Sequence, residues 1–271
     1  MGNIFSFQYS SEENDPNSEG QNSLHDSEKV LEDLAKIPGL GMFSSQNFSR
    51  ELDRKKRYLQ IAFNSDLGTA QRVISQLPRS DRIIIEAGTP FIKSEGTAGI
   101  EAIRSMWKGL IVADTKTMDG ATQEVAEVAR AGANAATVLG AAPPETISLF
   151  VKACKDFGIY SMVDMLNVQD PLRAIMKLQE SPDVVILHKG RDEEKSFGKI
   201  IQFKHIKRIR SKFDSIISVA GGMYLKEAQS AVFNGANIVV INVVRPSDPW
   251  TGIKSTEQIT EIAQKFLESI E

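Results

Sequence analysis

Short apolar runs alternate with longer amphipathic segments along the chain from Tyr58 onward. Eight such runs, each of five or six residues, recur about every 22 to 32 residues, which is the length of one strand–helix unit. Runs that are apolar almost throughout predict parallel strands covered on both faces. The predicted strands are residues 59–63, 82–87, 110–114, 135–139, 160–164, 184–188, 216–220 and 238–242.

The segments between these strands carry apolar residues three and four positions apart, which is the spacing of an amphipathic helix. Eight strand–helix units in succession is the number in a closed (β/α)8 barrel, or TIM barrel. We therefore predict an α/β fold with one such barrel over residues 58–271. An open doubly wound sheet is the alternative, although it usually has fewer strands. The predicted helices are residues 68–77, 99–107, 122–132, 144–154, 170–179, 204–213, 225–235 and 255–270.

The N-terminal region differs from the rest in composition. Residues 1–26 are rich in Ser, Asn, Gln and Gly and contain five acidic residues but no Lys or Arg, so we predict a disordered acidic tail there. The apolar residues between Val30 and Ile37 have helical spacing, which predicts a short helix inside an N-terminal extension over residues 27–57. The region lacks the basic start and apolar run of a secretory signal.

Overall charge and composition narrow the classes of partner. The net charge of the 271 residues is −3, so no basic surplus indicates nucleic acid. No apolar run approaches the roughly 18 residues of a membrane span, so we expect no membrane partner. The single cysteine, Cys154, falls inside a predicted helix, where it fits a small core residue in a reducing cytoplasm.

Polar residues follow or end most of the predicted strands. The active site of a TIM barrel lies at the carboxyl ends of its strands, and acids inside a barrel are costly unless they are paired or bound to a metal. Strand-end Asp and Asn can also simply cap helices and turns, but six strand ends together make that explanation weaker. The polar strand ends carry Asn64, Glu86, Asp114, Asp164, His188 and the pair Gly221–Gly222.

The segment from Asp114 to Asp119 is the most specific of these signals. Asp114 and Lys116 share one face if the segment is extended, and Asp119 follows beyond a turn. Alternating charges in a crowded site keep the carboxylates ionised and the lysine protonated. Such a group could bind a metal and stabilise an enediolate, or it could be a structural ion-pair triad at a helix start.

Three further positions carry candidate chemistry. Glu86 ends an apolar strand next to that of Asp114, and two carboxylates on neighbouring strands suit a hard cation such as Mg²⁺. His188 also ends an apolar strand and is the natural group for proton transfer, or a hydrogen-bonded rim histidine. His25 in the tail and His205 in a basic helix are expected to face solvent. The Gly221–Gly222 pair offers backbone N–H groups to an anion such as phosphate.

At these residues the chain resembles the orotidine-monophosphate-decarboxylase suprafamily, and within it the 3-hexulose-6-phosphate synthases. The resemblance runs from about Leu59 to the C-terminus. Its most specific segments are GTPFIK and ADTKTMD, whereas AGG is common. The segments that carry it are residues 85–96, 111–119, 131–147, 163–174, 187–194 and 219–223.

The resemblance implies a Mg²⁺-dependent aldol reaction, in which formaldehyde and D-ribulose 5-phosphate give D-arabino-hex-3-ulose 6-phosphate, or the reverse. It implies that Glu86 and Asp114 bind the metal and that Lys116 neutralises the enediolate. His188 would move the proton. Asp119 would reach the neighbouring subunit's site in a homodimer with shared active sites. Gly221 and Gly222 would hold the phosphate of the sugar-phosphate substrate.

The chain departs from the family pattern in three places. Asn64 stands where relatives usually have Asp, and a neutral amide can orient a hydroxyl but cannot act as a base. Arg191, in His-Lys-Gly-Arg-Asp, resembles the sister group of 3-keto-L-gulonate-6-phosphate decarboxylases. Asn242 and Val243 replace the residues that usually complete the phosphate cup after the eighth strand. Arg245 is a hypothetical replacement, because its guanidinium can bind phosphate.

Three functions therefore stay open from the sequence. The first is the aldolase-type lyase. The second is a decarboxylase of a keto-sugar-acid phosphate that uses the same enediolate and Arg191. The third is a sugar-phosphate-binding barrel with altered or lost catalysis, which Asn64 and the altered phosphate cup motivate, since one fold hosts many functions.

Overall fold

The computed structural model of the chain describes residues 51–193 and 201–271. Within these ranges, nine strands and eight α-helices alternate along the chain. The strands are β1 (Tyr58–Phe63), β2 (Ile83–Ala87), β3 (Ile111–Thr117), β4 (Ala135–Leu139), β5 (Tyr160–Asp164), β6 (Val184–His188), β7 (Ile216–Ala220), β8 (Ile238–Val244) and β9 (Ile253–Lys254). The helices are α1 (Leu67–Ile74), α2 (Thr89–Met106), α3 (Ala121–Arg130), α4 (Pro144–Asp156), α5 (Pro171–Ile175), α6 (Lys204–Arg210), α7 (Leu225–Phe233) and α8 (Ile259–Ser269).

The sheet closes on itself. Strands β1 to β8 are parallel and pair in sequence order, and β8 pairs with β1 from Tyr58↔Ile238 to Phe63↔Val243. This closure confirms the predicted (β/α)8 barrel and excludes the open sheet. The short strand β9, which the sequence pattern did not predict, adds to the carboxyl end of β8 through the pair Val243↔Ile253.

The strand pattern follows from burial on both faces. Side chains that point outward from the sheet pack against the helices in one large apolar cluster, which includes Ile61, Phe91, Ile103 and Phe150. Side chains that point inward form a second apolar cluster inside the barrel. Because both faces are covered, the strands are almost continuously apolar, as in other parallel sheets.

Helix starts follow local sequence signals. The Asp66 side chain accepts a hydrogen bond from Thr69 N (2.8 Å) at the start of α1, and Asp170 does the same from Arg173 N (3.3 Å) at the start of α5. Helix α2 begins at Thr89, ten residues before the predicted start, and Gly96 interrupts it with φ 62°. The apolar pattern found only the part of α2 that follows this kink.

The fold confirms the expected burial of Cys154 and contradicts the expected exposure of His205. Cys154 is fully buried in α4, as predicted. The expectation that His205 faces solvent is wrong, because it lies on the inner face of α6 with Ile206 and Ile209 and is only 7% exposed. The predicted tail, and the predicted helix within residues 27–57, lie outside the described residues. Within those residues, no helix is long and apolar enough to cross a bilayer.

Candidate active site

The barrel interior changes from apolar to polar at the carboxyl ends of the strands. Inward-facing residues alternate along a strand, and the inner apolar cluster includes Ile84, Val112, Ala135, Met162, Ile186 and Val240. Two positions further along the same six strands stand Glu86, Asp114, Thr137, Asp164, His188 and Asn242. These polar side chains line a cavity of about 520 Å³, a size typical of small-molecule sites.

A β-bulge brings the lysine of this cavity into place. Strands β3 and β4 pair at Ala113↔Ala136 and again at Thr117↔Val138, so β3 holds two more residues than β4 between these pairs. Lys116 lies in the bulge with φ 48°, and its N–H donates to Thr137 Oγ1 (2.9 Å). The predicted extended geometry is therefore wrong at Lys116, although Asp114 and Lys116 do reach the same cavity.

The Lys116 ammonium joins two buried carboxylates. Its Nζ lies 2.9 Å from Asp114 Oδ2 and 2.8 Å from Asp164 Oδ2. Burial alone would lower the pKa of Lys116, but the charges of Asp114 and Asp164 outweigh burial and raise that pKa above its ordinary value of 10.5. Lys116 is therefore a permanently charged cation in the cavity wall at neutral pH.

Asp114 is held by neutral donors as well as by the lysine. Its Oδ1 accepts from Thr137 Oγ1 (2.8 Å), and its Oδ2 accepts from Thr89 Oγ1 (2.8 Å). These bonds come from the neighbouring strand β4 and from the first residue of α2. The orientation of the Asp114 carboxylate is thus fixed from two sides before any ligand binds.

Asp164 couples the lysine to the histidine. Its Oδ2 accepts from Lys116 Nζ and also lies 2.8 Å from His188 Nδ1. Burial alone would raise the pKa of Asp164, but His188 and Lys116 hold it well below its usual range. Burial likewise opposes protonation of His188, yet the charge of Asp164 raises the pKa of His188 above 6.5. Because Nδ1 is committed to Asp164, Nε2 is the ring nitrogen that can exchange a proton with a ligand.

Glu86 is the acid with the most unfavourable surroundings. Burial and the nearby charge of Asp114 raise the pKa of the Glu86 carboxyl from 4.5 to about 7. Gln60 Nε2, from β1, donates to Glu86 Oε2. Gln60 Oε1 is buried and has no hydrogen-bond partner within the described part of the chain. The cavity near Glu86 therefore contains two carboxylates and the unpartnered Gln60 Oε1, and their negative charge exceeds the positive charge nearby.

These oxygen atoms fit a hard divalent cation. Within residues 51–193 and 201–271, no group of three or more His, Cys, Asp and Glu side chains could hold a metal. For a divalent cation in this cavity the chain would therefore supply only two carboxylates, those of Glu86 and Asp114. The unpartnered Gln60 Oε1 lies beside Glu86. Mg²⁺ is often held by one or two carboxylates, together with water and substrate oxygens, so this donor set fits Mg²⁺.

Two amides pair at the junction of β1 and β8. Asn64 Nδ2 donates to Asn242 Oδ1 (3.1 Å), and both residues line the cavity. The departures from the family pattern at positions 64 and 242 are therefore in direct contact.

The loops after β6 and β7 complete the cavity. Arg191 begins a 3₁₀ turn (Arg191–Glu193) and lines the cavity together with Gly221. Gly221 has φ 115°, and a Cβ at this position would overlap the carbonyl oxygen of Lys189. Only glycine fits this turn without a shift in the backbone.

Three candidate residues do not line this cavity. Asp119 is exposed and accepts from Gly120 N (2.9 Å), so its expected role at a neighbouring subunit's site stays a prediction. Gly222 lies one residue beyond the lining residue Gly221, with φ 55°. Arg245 Nη2 lies 3.1 Å from Asp66 Oδ2, at the N-terminus of α1.

Asp164 is the central residue to which the sequence assigned no role. Its place at a strand end was visible, but no role followed from that place alone. Thr89 and Thr137, which orient Asp114, and Gln60, which contacts Glu86, were not singled out. Inward alternation along the strands could have found Gln60, Thr137 and Asp164, because each lies two positions from an inward apolar residue.

The fold and the cavity define a TIM-barrel protein with a charged small-molecule site at the carboxyl ends of its strands. The family model described as "Orotidine 5'-phosphate decarboxylase / HUMPS family" matches residues 57–243. The chain belongs to this family.

Individual relatives are consistent with that membership. A protein of Methanothrix thermoacetophila named "Bifunctional enzyme Fae/Hps" is 37% identical over 215 residues, which cover 79% of this chain and 52% of the relative. The chain thus spans about half the length of the curated relatives it matches. A solved 3-hexulose-6-phosphate synthase from Salmonella typhimurium has a TM-score of 0.69 and 28% identity, over 79% of this chain and 98% of that one. Another solved 3-hexulose-6-phosphate synthase has a TM-score of 0.67 and 26% identity, over 79% and 100%.

Proposed function

We propose that this chain is an aldehyde-lyase that joins formaldehyde to D-ribulose 5-phosphate, giving D-arabino-hex-3-ulose 6-phosphate, and that it also runs the reverse reaction with Mg²⁺. The observation that carries the proposal is the chain of contacts from Asp114 through Lys116 and Asp164 to His188 in one cavity. These contacts place the fixed Lys116 cation close to His188, which can exchange protons. Similarity to 3-hexulose-6-phosphate synthases at 26% and 28% identity supports the same reaction.

The residues divide the chemistry between them. A proton leaves the carbon beside the ketose carbonyl, and the enediolate carbon then attacks the carbon of formaldehyde as its C=O π bond opens. The proton is returned to the alkoxide oxygen formed in this way. His188 Nε2 moves the proton, because Asp164 holds Nδ1 and orients the ring. Lys116 opposes the negative charge of the enediolate, and its own charge is secured by Asp114 and Asp164. The amide pair Asn64–Asn242 carries no net charge, so it does not act as a base. It orients sugar hydroxyls through hydrogen bonds.

In this proposal Glu86 and Asp114 hold Mg²⁺. A bound divalent cation supplies Lewis acidity, which lowers the cost of removing a proton beside a carbonyl. Glu86 supports the assignment, since a carboxyl whose pKa is raised by burial and by Asp114 gains from a nearby cation. Thr89 and Thr137 keep Asp114 oriented toward the cavity.

The direct test is an activity assay with metal control. The full chain is incubated with D-ribulose 5-phosphate, formaldehyde and Mg²⁺, and loss of formaldehyde is followed. We expect consumption that stops with EDTA and returns with excess Mg²⁺. Formaldehyde loss that is unaffected by EDTA would contradict the metal assignment, and no loss at all would contradict the aldolase reaction.

We also propose that two copies share their active sites through Asp119. Its place on an exposed loop beside Met118, which is 49% exposed, leaves it accessible to a second copy. Mixing two inactive variants, Asp119→Asn and Lys116→Met, tests this directly. If Asp119 acts across a symmetric dimer, random exchange of subunits restores about a quarter of the wild-type activity. No gain on mixing under conditions that exchange subunits would refute the sharing.

The decarboxylase is the second candidate, and Arg191 is the observation that favours it, because this residue lines the cavity. Release of CO₂ from 3-keto-L-gulonate 6-phosphate, without formaldehyde consumption, would replace the first proposal by this one. If both reactions are absent while a ketose phosphate still binds, the chain is a sugar-phosphate-binding barrel. The same protein preparation can be used for all three measurements.

A further inference from the structure

The bulge in β3 that carries Lys116 is held by threonine hydroxyls. Lys116 N donates to Thr137 Oγ1 (2.9 Å), and Thr115 Oγ1 donates to the carbonyl oxygen of Thr137 (2.6 Å). Both contacts join the bulge to β4. The hydroxyl of Thr117 lies 3.0 Å from Thr115 Oγ1 and also contacts the carboxylate of Glu124. A series of side-chain contacts therefore leads from the bulge to Glu124.

Glu124 belongs to the helix that follows the bulge. It lies in the first turn of α3, seven residues beyond Thr117, and its backbone N–H donates to Gly120 O (3.2 Å). Thr117 is only 1% exposed, and its hydroxyl has one hydrogen to donate. A carboxylate oxygen is a stronger acceptor than a hydroxyl oxygen, so this hydrogen goes to Glu124. The start of α3 is thereby joined to the end of β3.

The backbone of the bulge needs this support. Lys116 has φ 48°, and a left-handed backbone persists at a residue with a side chain only where the surroundings hold it. The pairing of β3 with β4 shifts register between Ala113 and Thr117, so the regular ladder is interrupted at this point. The side-chain contacts of Thr115 and Thr117 take over the role of the ladder there.

We propose that Glu124 is a positioning residue for Lys116 and that it acts through Thr117. It holds the bulge in the form that places the Lys116 ammonium against both Asp114 and Asp164. The catalytic consequence rests on the proposed function, because the charge that Lys116 opposes develops only as the enediolate forms. Loss of Glu124 should therefore affect turnover more than substrate binding.

Steady-state kinetics of variants test the assignment. For Glu124→Ala and Thr117→Val we expect kcat for formaldehyde consumption to fall about 10- to 30-fold, with the KM for D-ribulose 5-phosphate within about threefold, since the weakened interaction belongs to the transition state. Thr117→Ser keeps the hydroxyl and should retain about half of the wild-type kcat or more. Glu127→Ala is the matched control. It removes an exposed glutamate that accepts from Gln123 on the same helix, and it should leave kcat unchanged.

Combination with Lys116→Met separates positioning from a structural role. If Glu124 acts only through Lys116, adding Glu124→Ala should reduce the residual kcat of Lys116→Met by less than about twofold. A further loss of about tenfold in that background would show that Glu124 supports activity by another route, and it would overturn the proposal.

Amide hydrogen exchange reports on the bulge without turnover. The Lys116 N–H is donated to Thr137 Oγ1, so its exchange rate shows how often the bulge opens. We expect Glu124→Ala and Thr117→Val to raise this rate about tenfold, whereas Glu127→Ala leaves it unchanged. If the wild-type chain consumes no formaldehyde but this pattern holds, the positioning assignment stands and the proposed reaction does not.

Two further results would overturn the assignment. One is an unchanged kcat for Glu124→Ala in a chain whose wild type is active. The other is an unchanged exchange rate of the Lys116 amide in both variants, whether or not the wild type is active. Cooperative thermal unfolding confirms that each variant is folded. Should Thr117→Val fail to fold, Glu124→Ala and Glu124→Gln carry the same tests, because the Glu124 side chain is partly exposed.

Discussion

The two ends of the barrel both bury polar side chains, but the partners of those side chains differ. At the amino end, Asn134 Oδ1 accepts from Ile111 N (3.0 Å), and Asn237 Oδ1 accepts from Ile217 N (3.2 Å). Asp183, which is itself exposed, makes the same kind of contact, since its Oδ2 accepts from Ser161 N (2.8 Å). Each of these residues precedes a strand and satisfies the backbone of the neighbouring strand, and the two asparagines also accept from Arg104 and Arg210.

At the carboxyl end, the buried polar side chains mainly contact one another. Lys116, Asp114, Asp164 and His188 form one charged group around the cavity, and the pKa values of Lys116, Asp164 and His188 are all shifted. Burial is therefore a poor guide to function in this barrel. A buried polar group whose partners are backbone atoms stabilises the fold, whereas one whose partners are other ionisable groups beside a cavity is a candidate for catalysis.

Lys116→Met tests the charged group at the carboxyl end most directly. Losing the cation should lower kcat about 10³-fold, equivalent to about 4 kcal/mol, because the charge of the enediolate is no longer opposed. Steady-state formaldehyde consumption measures the effect. Lys152→Met removes an exposed lysine that pairs with Asp156 on α4 and should leave kcat unchanged. Activity within tenfold of wild type for Lys116→Met would show that the carboxyl-end group is structural.

His188→Gln should lower kcat about 10²-fold, because proton transfer is lost while the cavity keeps its shape. It should also change how stability depends on pH. The pKa of His188 is raised above 6.5 in the folded protein, so protonation stabilises the fold fully below pH 6.5, and this contribution is lost as the pH rises through the folded pKa. The wild-type advantage in unfolding free energy should therefore be larger near about pH 6 than near about pH 9. Urea unfolding measures it, and an advantage that grew with pH would contradict the His188–Asp164 ion pair.

Asn237→Ala tests the other end of the barrel. It leaves the N–H of Ile217 and the carbonyl of Arg54 without their side-chain partner, so we expect a loss of about 2 kcal/mol in the free energy of unfolding. The kcat and KM of the folded protein should not change. An Asn237→Asp variant keeps an acceptor oxygen, so its free energy of unfolding should lie between those of Asn237→Ala and the wild type. A selective loss of kcat without loss of stability would erase the distinction between the two ends.

Asp66→Ala has the smallest expected effect, about 1 kcal/mol of stability, because it removes the N-cap of α1. The bond from Thr69 N and the nearby Arg245 lower the pKa of Asp66 from 3.8 to about 2. The stabilisation is therefore present above pH 3.8 and is lost as the pH falls through 2. Thermal unfolding of the wild type and of Asp66→Ala across this pH range measures the effect. A stability difference that persists at the lowest pH would exclude the Asp66 carboxylate as its source.

Most of the fold could be predicted from the sequence, because each strand is short, apolar and bounded by polar residues. All eight barrel strands were found, with ends within three residues of those in the structure. Strand β9 was missed because two residues carry no periodicity, and the start of α2 was missed because Gly96 divides it into segments too short to show a helical pattern.

The site was predicted less completely, for a different physical reason. Glu86, Asp114, Lys116 and His188 are visible as strand-end residues and line one cavity. The bond between Asp164 and Lys116 depends on a bulge that repositions Lys116, and no spacing rule predicts that bulge. The contact between Arg191 and Trp250 joins loops that are 59 positions apart in the chain, so only the closed barrel brings them together.

The left-handed backbone of Lys116 has a consequence for the choice of amino acid at this position. Glycine or asparagine would adopt φ 48° with less strain, whereas only a long cation can reach Asp114 and Asp164 at once. Conformational preference and chemistry thus select different amino acids at one place. Sequence optimisation aimed at thermostability alone would favour replacement of Lys116, and the resulting barrel would keep its architecture while losing the cation that the bulge places in the cavity.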